Sequence, residues 1–105
     1  PTTAFPGLDA RVVTPEWAAR REHCRTLDDY LRRRTNIAQW MPRGGFGRTD
    51  EHAAAVAAIA HALHPGDPAT AEADLQSHAA RIQREASLIR AAGRAAVSFA
   101  PGVPA

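Results

Sequence analysis

The residues best equipped for chemistry in this chain are five histidines, His23, His52, His61, His64 and His78. Imidazole binds borderline metals and exchanges protons near neutral pH, so its placement on each element decides what the chain could do. Apolar or small residues recur at Val56, Ile59, Ala60 and Leu63, and again at Leu75, Ala79, Ile82, Ala86 and Ile89. This is the three–four spacing of helices that bury one stripe. At about 100° per residue His52 shares the stripe of Val56, and His78 falls between Leu75 and Ile82. His23 lies at the edge of a third stripe made of Trp17, Cys24, Leu27, Tyr30 and Leu31.

Three imidazoles converging in a bundle core would suit zinc or nickel, with a carboxylate or water completing the shell. The same pattern fits three separate core histidines, each bonded to a neighbouring helix. The heights favour convergence for two of them. His52 and His78 stand about 21 and 18 Å from the turn at Gly66, at roughly 1.5 Å per residue, so an antiparallel hairpin brings them level. His61 projects the other way, toward solvent. His64 closes its helix, where a partly positive ring suits the dipole.

The elements that must hold these residues follow from caps and prolines. Residues 1–13 carry Pro1, Pro6 and Gly7 and no sustained period, so they read as an extended arm. Thr14-Pro15-Glu16 is a helix start, with a hydroxyl cap, proline at the first position and an acid in the first turn. That helix is expected to reach about Arg34, with a short continuation from Ile37 to Met41 ended by Pro42. PRGGFGRT at 42–49 reads as a flexible corner. Thr49 or Asp50 should cap a second long helix to about Leu63. Asp67-Pro68 should start a third, closing at Ala92 with Gly93 as its cap. Residues 14–92 thus form one small all-α bundle of three to four helices, and 93–105 a loose tail.

Composition narrows the classes. All 13 basic residues are Arg, and alanine supplies much of the apolar fraction, which favours helix and close helix–helix approach. Residues 11–48 carry nine Arg against four acids, an excess that permits an anionic partner without demanding one. The single cysteine, Cys24, excludes an internal disulfide and reads as a buried small hydrophobe. No apolar run reaches transmembrane length and no signal-peptide pattern opens the chain, so a cytoplasmic setting is expected.

Arg32, Arg33 and Arg34, with Arg43 and Trp40 downstream, form a basic patch that could meet nucleic-acid phosphates. Asp28 and Asp29 lie within helical reach of the triplet, which favours a solvated, paired face. Gly44-Gly45-Phe46-Gly47 before a helix lacks the Lys-Ser/Thr of a phosphate loop and reads as a connector. Nothing in the order of serine, cysteine or carboxylates points to a hydrolytic site.

The stretch from Glu51 to Ile89 resembles the end of the FCD domain, the all-helical effector-binding domain of GntR-type (FadR-like) bacterial transcription regulators. The residues that carry the likeness are Glu51-His52 at a helix start, the apolar run Val56 to Leu63, the Gly66-Asp67 turn, the Ala-rich stretch Ala71 to Leu75, and His78. The likeness covers about residues 50–89. It implies that His52 and His78 help hold a metal that anchors a small carboxylate effector. Two parts of the family pattern are absent. Ala19 stands four residues before His23 where an Asp would be, and no winged helix-turn-helix precedes the bundle.

The expected function is a non-catalytic regulatory or sensor domain that binds a small carboxylate, with His52, His78 and His23 as metal ligands. Trp40, Tyr30 and Arg34 are its expected ligand-binding residues, and a homo-oligomer or a partner protein is its expected setting. A structural subunit of a larger assembly, or a basic nucleic-acid-associated protein using Arg32, Arg33, Arg34 and Arg43, are the alternatives.

Overall fold

The structure, a computed structural model, describes residues 1–98, with side chains through Gly93. It is mostly helical, in accord with the all-α expectation. The described elements are β1 (Thr2–Thr3), β2 (Val12–Val13), α1 (Pro15–Arg21), α2 (Asp29–Arg34), α3 (Ile37–Trp40), a 3-10 turn (Arg43–Gly45), α4 (Ala53–Leu63) and α5 (Pro68–Ser98). Five helices thus replace the three to four expected.

The two helix starts argued from cap and proline hold. Thr14 Oγ1 accepts from Trp17 N at 3.3 Å, and Asp67 Oδ1 accepts from Thr70 N at 3.1 Å. In each case the hydroxyl or carboxylate satisfies a backbone donor that the first turn leaves free. Thr70 also holds the Asp67 carboxyl below its usual range, first through its hydroxyl and then through its amide.

The arm is not simply extended. Thr2 pairs with Val13 and Thr3 with Val12 in a short antiparallel ladder. Arg11 ties its two ends by donating to Thr2 O and Thr2 Oγ1, both at 2.9 Å. Phe5 and Val12 thereby reach the core.

The first long helix breaks where none was expected. It stops at Arg21, His23 takes a left-handed φ of 55°, and Cys24 N returns to Ala18 O at 3.1 Å. Thr26 then caps a new start, its Oγ1 accepting from Asp29 N at 3.1 Å. The break lets Cys24 and Leu27 both be buried, which a continuous helix carrying Arg20, Arg21 and Arg25 would serve less well. α2 is wound as a π-helix, and Thr35 N closes on Tyr30 O five residues back.

The glycine corner is packed, with Gly45, Phe46 and Gly47 buried. Gly44 has a φ of +61°, and a Cβ there would lie 2.5 Å from Ile82 Cδ1, so only glycine fits. α4 buries the stripe expected of it, Val56, Ile59, Ala60 and Leu63. At about 1.5–3 kcal/mol for each large side chain, that stripe is a main tie between α4 and the rest. α5 buries Ala71, His78 and Ile82, while Ala79 and Ile89 of the expected stripe are exposed. It also runs through Gly93 to Ser98 instead of ending at Ala92. The loose tail expected from 93 is therefore helical as far as Ser98, and the remainder of that expectation lies outside the described residues.

Candidate functional site

The structure separates the three histidines expected to converge. His23 sits exposed in the loop after α1, not on an inward helix face, because its left-handed backbone turns the chain there. His52 precedes the first turn of α4 and packs edge-on against Phe5, ring centroids 5.6 Å apart. A Cβ on Gly7 would also touch its ring at 3.4 Å. His78 is buried against Phe46, centroids 5.3 Å apart, and its Nε2 lies 2.9 Å from Gly44 O. Among the described residues no group of three or more His, Cys, Asp or Glu side chains is arranged to hold a metal ion. His61 is exposed as expected.

Chemistry fixes the His78 tautomer. A carbonyl can only accept, so Nε2 carries the proton, and Nδ1 accepts from Arg81 Nη2 at 2.8 Å. Burial, then the Arg81 charge, holds this imidazole below its usual value against the opposing pull of the Gly44 carbonyl. Both ring nitrogens are thus engaged, and the ring serves as a neutral link between the glycine turn and α5.

From Arg81 a polar chain continues outward. Asp28 Oδ1 stands 3.3 Å from Arg81 and 3.1 Å from Arg32, and Arg32 also reaches Glu85 Oε1 at 2.8 Å. Asp28 Oδ1 makes no contact of hydrogen-bond geometry, so its hold on the two guanidiniums is coulombic. Arg34 pairs with Glu22 at 3.4 Å and Arg43 with Asp50. Arg32, Arg33 and Arg34 are all exposed, and two of the three are occupied by carboxylates of this same chain.

A second polar cluster is only half visible in the sequence. His64 caps the end of α4, and its Nε2 lies 2.9 Å from Asp74 Oδ2. The same oxygen accepts from Leu27 N at 2.9 Å. Ala19, His23, Cys24, Arg25, Leu63 and Thr70 wall a cleft of about 410 Å³ beside His64. Desolvation and then the Asp29 charge push the Cys24 thiol up to about 11, which leaves almost no thiolate at neutral pH. A Cys–His pair in one cleft could have been a nucleophile and base; this thiol is kept inert.

The largest concavity lies elsewhere. A groove of about 620 Å³ runs between α3 and the outer half of α5. Trp40, Met41, Pro42, Ile82, Ala86 and Ile89 form its apolar walls, and Arg32, Arg43 and Glu85 lie along it. Trp40 is 67% exposed and Ile89 72%. Of the expected ligand-binding set only Trp40 is here. Tyr30 is fully buried, its hydroxyl donating to Val13 O, and Arg34 faces Glu22. Spacing alone makes Ile89 a core position, because it continues the stripe of α5; the periodicity is real, but the body ends before it.

Among the described residues no helix is long and apolar enough to cross a membrane. No protein-family model, curated protein or solved structure matches the chain.

Proposed function

We propose that this chain is a helical interaction module whose working surface is the outer half of α5 together with Trp40. The observation that carries this reading is the exposure of Trp40, Leu88 and Ile89 around an apolar groove on an otherwise well-buried body. Every side chain from Ser87 to Gly93 is exposed. A helical end of this length is marginal in water without a tertiary contact, and an apolar groove on its flank is what such a contact would cover. The setting proposed is cytoplasmic. The basic triplet takes no part, since its charges are shared with Asp28, Glu85 and Glu22.

The test is a photo-reactive residue at position 92, in cells, with and without Ile89→Glu. A discrete cross-linked species that vanishes with Ile89→Glu supports the reading; no such species, or one indifferent to the substitution, overturns it.

One observation favours a second reading, the effector-binding regulatory domain that the FCD likeness implies. The groove's volume lies in the range of small-molecule sites, and Trp40 and Arg43 could receive a planar carboxylate. A metal-assisted form of this reading would require His52 and His78 to leave Phe5 and Gly44. Calorimetric titration with zinc or nickel, on the wild type and on His52→Ala and His78→Ala, decides it. Specific binding lost in both variants would favour the sensor, and binding unchanged by both would remove its metal.

A further inference from the structure

Ile82, Ala86, Ile89 and Gly93 lie on one side of α5 at four–three–four spacing. The spacing is symmetric about the midpoint between Ser87 and Leu88. Turned end for end against itself, the stripe sets Ile82 opposite Gly93 and Ile89 opposite Ala86. Every large side chain then meets a small one. Parallel pairing offers no such match, because it sets Ile89 on Ile89 and Gly93 on Gly93. Around Gly93 the space is open, and a Cβ built there meets nothing within 4 Å. Ile82, Ala86 and Ile89 are also walls of the groove beside Trp40.

Resting on the interaction reading above, we infer that the occupant of this groove is a second copy of this chain. The outer halves of two α5 helices pack antiparallel about a two-fold axis near Ser87–Leu88, and each helix end enters the groove beside the other copy's Trp40. Gly93 lets the incoming helix approach Ile82 closely. From Gln83 to Ser98 the outer segment is about 24 Å long. Two such faces, each with a largely exposed tryptophan, cover on the order of 1,000 Å² in total, the lower bound for a specific interface. The dimer is therefore reversible. The contact is isologous and closes on itself, so it ends at two copies.

Sedimentation equilibrium of the full chain over a wide concentration range tests this. The wild type should move from monomer to dimer and no further. Gly93→Leu should weaken the dimer at least about tenfold by setting Leu against Ile, while the melting temperature of the dilute monomer does not fall. Ile89→Ala and Ala86→Ile should each weaken it. The exchange variant A86I/I89A should recover it, since the large and small side chains then trade places and still face each other across the axis. If Ala86→Ile disturbs the fold by circular dichroism, Gly93→Leu decides alone. A wild type monomeric throughout, or a dimer indifferent to Gly93→Leu, overturns the inference. A monomer that still cross-links from position 92 to a different protein overturns the dimer and leaves the interaction reading standing. A monomer that cross-links to nothing removes both.

Discussion

His64 Nε2 and Asp74 Oδ2 stand 2.9 Å apart, and that single carboxylate oxygen joins the end of α4 to the turn at Leu27 that leads into α2. A carboxylate at a helix start satisfies a free N–H and meets the positive end of the dipole. Here it also fixes a histidine that closes another helix.

Asp74→Ala should therefore cost more than a surface substitution. It strands the Leu27 amide and the His64 ring, both largely shielded from solvent, and an unfolding free energy lower by about 2 kcal/mol is expected. Asp74→Asn keeps one oxygen acceptor and should lose less. Urea unfolding of the three proteins checks the order, and equal losses would show that the carboxylate charge, not the acceptor, matters.

His78 gives stability a dependence on pH. Its folded value lies below the ordinary one, so the unfolded chain binds the proton more readily than the native protein does. The contribution is fully present above about pH 6.5 and declines as pH falls from there toward the folded value. Urea midpoints measured on the acid side of neutrality should fall more steeply with acid for wild type than for His78→Gln. Parallel slopes would mean that His78 is not the group responsible.

Gly44→Ala should destabilise by about 2 kcal/mol or more, since it combines a left-handed backbone with a side chain forced onto Ile82 and His78. Gly66→Ala, with an equally positive φ but open space around it, separates the two effects. Thermal melts in which Gly44→Ala and Gly66→Ala lose the same amount would remove the packing part.

Cys24 should behave as a reporter of unfolding. With a thiol near 11 and almost no exposure, it should alkylate far more slowly than a free thiol at neutral pH. Its labelling rate should rise steeply through the urea transition. Fast labelling in the absence of urea would show that the loop at 22–26 opens on its own.

Local rules located what local chemistry decides. The caps at Thr14 and Asp67 are set by residues within three positions, and the stripe of α4 by its own period, so both were legible. The break at His23 was not, because it depends on Cys24 and Leu27 finding a core that includes Asp74, far along the chain. His78 shows the limit most plainly. Its inward position could be read from spacing, but its partner is the carbonyl of Gly44, and a backbone oxygen leaves no mark in a sequence. For Ile89 the period was right and the inference from it was not, since a helix can carry its stripe past the body that buries it.

The winding of α2 has a consequence for how this chain tolerates length changes. A π-turn holds one more residue than the α-turn it replaces, so it is equivalent to a one-residue insertion absorbed without breaking the helix. Removing one residue among Arg32, Arg33 and Arg34 would let the segment rewind as ordinary α-helix. Everything downstream would then rotate by roughly 100° relative to Tyr30 and Leu31. Ile37, now fully buried, would leave the core, and Trp40 would swing away from the α5 groove. The surplus residue in α2 thus acts as a phase setter: it holds the tryptophan in register with a helix more than forty residues further along the chain.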